Sequence, residues 1–188
     1  MIELRIHGRG GQGAVVASKT LAQAAFQAGR YEQSYPYYGV ERRGAPVVAF
    51  ARIAEPGEEL FVRQDIREPH HLLILDSTLL DSANPLAGLR NGGWVVVNTS
   101  DPPDSLGIVP RFRVATVDAS EIARRHQLGT AAQPVVNTAI LGAFVRATSI
   151  VSLDDLLKAI DHEVPVKVEE NRMAATEAFE QTQLEVTV

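Results

Sequence analysis

Apolar and charged residues alternate from Ile2 to Ile6, the two-residue period of a strand with one buried face, and the pattern breaks at the glycines of Gly8 to Gly13. Ala14 to Ala28 follows with helix formers and small side chains, so the first unit reads strand, glycine loop, helix. Tyr31 to Gly44, rich in Tyr, Pro and Gly, is expected to be an ordered loop; Pro46 to Ile53 is β-branched enough to form the next strand. His71 to Asp76 and Trp94 to Asn98 are almost wholly apolar, the pattern of strands covered on both faces in a parallel sheet. Val114 to Asp118 predicts a further short strand. Helices are predicted over Ala119 to His126, Asn137 to Thr148, the segment carrying Leu153, Leu156, Leu157 and Ile160, and a closing stretch from Asn171 to Gln183. Ser152 and Asp155 have the spacing of a capping box. Strands that alternate with helices predict an α/β fold, a three-layer Rossmann-like domain with a mostly parallel central sheet. The pattern leaves the strand order open.

Length and composition narrow this picture. A chain of 188 residues accommodates one domain, 1–188, and 45% hydrophobic with 22% charged residues is ordinary globular usage. The net charge of −5 is spread along the chain, and no Lys/Arg stripe is interleaved with aromatics, so no nucleic-acid partner is expected. Cysteine is absent, which excludes disulfides, thiolate-bound zinc, iron–sulfur clusters and a cysteine nucleophile from this chain. No apolar run approaches the ~18 residues of a membrane span, so a cytoplasmic chain without membrane contact is expected.

Gly8, Gly10 and Gly13 fit G-x-G-x-x-G between a strand and a helix, where backbone amides at a helix N-terminus can face a phosphate. A dinucleotide site also needs an acidic residue at the end of the second strand, and the strand ending near Arg52 offers none. A nucleoside-triphosphate loop fails as well: no Gly-Lys-Ser/Thr follows, and Lys19 lies too far into the helix. The competing reading is a tight turn whose glycines only permit close helix–strand packing, with Ala14, Ala17 and Ala22 in support. The five histidines show no metal-binding spacing, and most read as surface or boundary residues. Ser77 and Thr78 lack a nucleophile elbow, Asp76 reads as a cap for the next segment, and Lys167 to Arg172 as a solvated surface. Tyr35 to Pro46 is different, because tyrosines beside arginines are enriched at interface cores; Arg42 and Arg43 suit a carboxylate or phosphate equally well.

Two segments, Gly8-Arg9-Gly10-Gly11-Gln12-Gly13-Ala14 and Tyr38-Gly39-Val40-Glu41-Arg42-Arg43-Gly44-Ala45-Pro46-Val47, together resemble the gamma subunits of 2-oxoacid:ferredoxin oxidoreductases. The resemblance extends over nearly the whole chain, through Leu75-Asp76, Val97-Asn98, Asn137-Thr138 and the segment from Asn171 to Ala178. It implies a complex that oxidatively decarboxylates a 2-oxoacid on thiamine diphosphate and magnesium. Electrons would pass through iron–sulfur clusters to ferredoxin, and the acyl group to coenzyme A. With no cysteine and no Gly-Asp-Gly motif here, those cofactors are implied to sit on alpha, beta and delta partners; no catalytic residue and no metal are expected on this chain. The run from Val40 to Pro46 looks like the pyruvate type, with another 2-oxoacid as the alternative. In single-chain relatives the corresponding domain is implicated in coenzyme A access. Geometry and resemblance together give candidate coenzyme A phosphate contacts at Gly8, Arg9, Gly10, Gly11, Gln12, Gly13, Arg42 and Arg43, and the aromatic and arginine content of Tyr35 to Pro46 gives candidate interface residues at Tyr35, Tyr37, Tyr38 and Glu41. A purely structural scaffold and an independent nucleotide-binding protein are the competing expectations.

Overall fold

A computed structural model describes residues 1–37, 44–58, 60, 64–108 and 111–185. The strands are β1 (Ile2–Arg9), β2 (Tyr31–Pro36), β3 (Pro46–Ala54), β4 (His71–Ile74), β5 (Trp94–Asn98), β6 (Arg113–Val117) and β7 (Gln183–Glu185). The helices are α1 (Ala14–Gln27), α2 (Leu79–Ser82), α3 (Ala119–Arg125), α4 (Asn137–Thr148), α5 (Leu153–Glu163) and α6 (Val168–Gln181), with a 3-10 turn at Pro103–Leu106. The strands form one sheet in the order β2-β3-β1-β4-β5-β6-β7. Its centre, β1, β4, β5 and β6, is parallel; β2, β3 and β7 run antiparallel to their neighbours at the two flanks.

The α/β class and the parallel centre follow the sequence pattern, but the layers are unequal. Leu4, Ile6, Leu73, Leu75, Val96 and Ala115 point to the face carrying α1, α3, α4, α5 and α6. Opposite, Leu72, Ile74, Val95 and Val97 pack under Leu79 of α2, Leu89 and Phe112. That smaller cluster explains why β4 and β5 are apolar on both faces. At β1 the second face is polar instead, with Glu3, Arg5 and His7 alternating with the core residues.

Helix boundaries follow local chemistry. Ser152 and Asp155 close the capping box of α5, with Asp155 N–H donating to Ser152 Oγ at 3.1 Å and Ser152 N–H to Asp155 Oδ2 at 3.4 Å. Helices α4 and α6 approach so closely at Gly142 that a Cβ there would stand 1.9 Å from the Ala175 carbonyl oxygen. The two helices are also joined by a buried hydrogen bond from Thr138 Oγ1 to Asn171 Oδ1.

Two expectations change. Tyr31–Pro36 is an edge strand, paired with β3 from Tyr31↔Ala54 to Pro36↔Ala49, where a loop was expected. An edge position tolerates Pro36, and its polar, aromatic composition disguised the period. Helix α6 begins at Val168, ahead of the predicted Asn171, and is followed by β7, which pairs with β6. Most histidines lie at the surface or its boundary, as expected; His7, buried in the sheet at 7% exposed, is the exception.

Candidate functional site

Strand β1 leads through the glycines into α1 on the helical face, whereas its parallel neighbour β4 leads to α2 on the opposite face. Adjacent strands whose connections part in this way leave a crevice at their carboxyl ends, the usual ligand position in open α/β sheets. Here it is a cavity of about 930 Å³ lined by Gly10, Gly11, Gln12, Arg124, Gln133 and Val136, among others.

The glycines have distinct tasks. Gly8 lies within β1, where an added Cβ would make only ordinary contacts at 3.5 Å. Gly10 N–H donates to Ala45 O at 2.9 Å and Gly10 O accepts from Gly44 N–H at 3.1 Å, which stitches the loop to the segment before β3. Gly11 has φ of +98° and a Cβ there would stand in open space, so the turn presents bare backbone to the crevice. Gly13, at φ +84°, is the N-cap of α1 and supplies no side-chain cap, leaving the first amides of that helix without intrahelical acceptors.

Asp76, at the end of β4, holds this turn in place. Its Oδ2 accepts from Arg9 Nε at 3.0 Å and from Gln12 Nε2 at 3.2 Å, and its Oδ1 accepts from Thr78 N–H at 3.1 Å. Gln12 Oε1 in turn accepts from Arg9 N–H at 2.7 Å. Burial alone would raise the Asp76 carboxyl, but hydrogen bonds from Thr78 and Gln12 and the charge of Arg9 outweigh it and hold the group below the usual carboxylate range. The rest of the Arg9 guanidinium reaches Gly44 O at 3.2 Å and Thr78 Oγ1 at 2.7 Å, so it acts as a strut across the crevice floor. Asp76 was expected to cap the next segment, but the N-cap of α2 is Thr78 and that helix has no side-chain cap; the role of Asp76 as anchor of the glycine turn was not legible, because Arg9 and Asp76 are 67 positions apart.

The far wall comes from β5, α3 and α4. Asn98 Nδ2 donates to Leu75 O and to Ser120 Oγ, both at 2.9 Å, tying β5 to the end of β4 and the start of α3. Asp118 Oδ1 caps α3 by accepting from Glu121 N–H at 2.8 Å. Arg124, Ser120 and the segment from Ala132 to Val136 then complete the lining. Sequence reasoning gave none of these a site role.

Of the predicted interface residues, Tyr35 and Tyr37 lie apart from this wall. The Tyr35 ring packs on Phe50 at 5.2 Å, and its hydroxyl accepts from Arg52 Nη1 at 2.5 Å. Arg52, itself 4% exposed, also pairs with Glu3 Oε1 at 2.9 Å. Tyr37 is 51% exposed and meets Phe50 edge-on at 6.5 Å. Tyr38, Glu41, Arg42 and Arg43 lie outside the described residues. Among the described residues, no group of His, Cys, Asp and Glu could hold a metal ion, and no helix is long and apolar enough to cross a membrane.

Fold and crevice together define a Rossmann-like α/β domain that presents a glycine turn at the carboxyl ends of its parallel strands. The chain belongs to the pyruvate ferredoxin/flavodoxin oxidoreductase family, whose pattern it matches over residues 3–181. It is 45% identical to the pyruvate/ketoisovalerate oxidoreductases common subunit gamma of Pyrococcus abyssi, over 98% of each chain. The crystal structure of pyruvate oxidoreductase subunit PORC from Thermotoga maritima superimposes with a TM-score of 0.81 at 34% identity, again over 98% of each chain. The fold also recurs, at 18% identity and a TM-score of 0.67, in a 2-oxoglutarate:ferredoxin oxidoreductase from Magnetococcus marinus, covering 95% of this chain and 30% of that one.

Proposed function

We propose that this chain is the gamma-type subunit of a multi-subunit, cytoplasmic pyruvate:ferredoxin oxidoreductase, which converts pyruvate and coenzyme A to acetyl-CoA and CO2 while reducing ferredoxin. The observation that carries the reading is likeness over the whole length to separate gamma and PorC subunits. Thiamine diphosphate, magnesium and the iron–sulfur clusters belong in this reading to the alpha, beta and delta chains. The residues here do not fit those groups: the sequence has no cysteine, and the described residues offer no metal cluster. What this chain does is support assembly and hold a phosphate of coenzyme A at the glycine turn. The bare backbone at Gly11 and the uncapped start of α1 favour that second role. The Pyrococcus relative, named as common to pyruvate and ketoisovalerate enzymes, favours substrate choice by other subunits.

The test is reconstitution. The purified chain alone should show no pyruvate-dependent reduction of an artificial electron acceptor and no cluster absorption, and adding the partner subunits should restore turnover. Robust turnover by the isolated chain would refute the assignment. For the phosphate role, Gly11→Ala in the assembled enzyme should raise KM for coenzyme A and leave thiamine loading intact; an unchanged KM would reduce the crevice to a packing feature.

A further inference from the structure

A second cavity, of about 410 Å³, lies on the face of β1 turned away from α1, lined by Arg5, His7, Tyr37, Phe50, Ile66 and Arg67 among others. The sheet sets this lining. Arg5 stands opposite Phe50 and His7 opposite Val48 across the β1–β3 pairing, so two nitrogen-bearing side chains share one surface with apolar neighbours. On the same face Leu79, Leu89 and Phe112 cover β4 and β5; over β1 and β3 the surface is hollow.

Two buried nitrogens of the lining, His7 Nε2 and Arg5 Nε, have no hydrogen-bond partner. His7 is only 7% exposed, and a polar side chain held at that burial without a partner is the exception in folded proteins and calls for an explanation. Arg5 donates from Nη2 to the carbonyls of Pro85 and Ala87, but it forms no ion pair, not even with Asp65, the one acidic side chain of the lining. Burial draws its guanidinium below the usual value, and no opposing charge holds it up. Arg67 stands exposed at the rim. Two arginines against one aspartate leave a single excess positive charge, set between the Phe50 and Tyr37 rings and Ile66.

We propose that this cavity is a docking socket for a neighbouring subunit of the oxidoreductase, which inserts an aspartate or glutamate carboxylate toward Arg5 and His7 and lays an apolar side chain against Phe50, Ile66 and Tyr37. This rests on the reading that the chain works as a subunit, and it names the surface and the chemistry of the partner. Charge complementarity selects the occupant: one carboxylate neutralises Arg5 and accepts from both unpartnered nitrogens. Tyr37, half exposed at the edge of the cavity, is of the residue type enriched where partners meet.

His7→Leu separates this role from a structural one. It keeps a similar volume and removes a ring whose Nε2 bonds nothing, so the isolated chain should hold or gain thermal stability. The dissociation constant for the partner subunits should nevertheless rise at least ~tenfold. Arg67→Glu, at the exposed rim, should weaken assembly in the same direction without disturbing the isolated chain, and it decides the matter if H7L does not fold. A dissociation constant within about twofold of the parent, in either variant that folds, would overturn the proposal. Calorimetric titration of the isolated chain with isobutyrate should show no binding; saturable binding that H7L abolishes would assign the cavity to a free carboxylate and overturn the partner. If the parent chain associates with none of the partner subunits, the subunit reading falls and the socket with it; if parent and variants assemble equally well, only the socket is lost.

Discussion

Acidification should destabilise this protein through two buried histidines. His7 is pushed down to about 4, first by burial within the sheet and then by the neighbouring Arg5 guanidinium. His71 is also pushed down to about 4, first by burial and then by His70 and Arg113. Its Nδ1 accepts from Trp94 N–H at 3.1 Å, and its ring meets Phe144 edge-on at 6.2 Å, a setting built for neutral imidazole. In the unfolded chain both titrate near ~6.5, so as the pH falls the unfolded state takes up protons first. Their contribution is complete above ~6.5, is lost progressively below it, and levels off near ~4, once the folded state protonates too. Integrated from about pH 7 to about pH 5, each histidine removes about 2 kcal/mol, so the pair removes about 4 kcal/mol, a large part of a typical domain's stability. Urea unfolding at a series of pH values, read by the fluorescence of Trp94, the sole tryptophan, measures this directly. His7→Gln should remove about half of the loss in that window. A parent protein equally stable at both ends of the window, or a His7→Gln variant with undiminished loss, would refute the argument. Asp76, held below the usual carboxylate range, acts at lower pH, so its effect is separable.

Two further outcomes follow from packing and exposure. Gly142→Ala should destabilise the chain by about 3 kcal/mol, because the new methyl group would meet the Ala175 carbonyl and force α4 from α6; a thermal midpoint within a degree or two (~1–2 °C) of the parent would mean the helices part freely. Tyr37→Ser should weaken subunit assembly by at least ~tenfold in a dilution series, with little effect on the isolated chain, since half the side chain is already exposed; an unchanged dissociation constant would remove Tyr37 from the interface.

The local elements were written in the sequence wherever one rule sufficed. The apolar runs of β4 and β5, the small residues of α1, the Ser152/Asp155 capping box and the glycine turn each report short-range chemistry, and the structure places them close to where the pattern does. The family, too, was legible, because its two motifs lie within contiguous segments. Edge strand β2 was not, since its partner is β3 and only that pairing turns a Tyr- and Pro-rich stretch into a strand. Strand order, the antiparallel flanks and the unequal layers depend on contacts between distant segments, which no local periodicity encodes. The same holds for the site. The sequence by itself determined that Gly11 and Gly13 could bend the chain and bare its amides. Tertiary structure alone decided that Asp76 anchors that turn and that Asn137 closes over it. Strands β1 and β4 set the first residue beside the loop, and the packing of α4 against α1 brings the second onto Gly13.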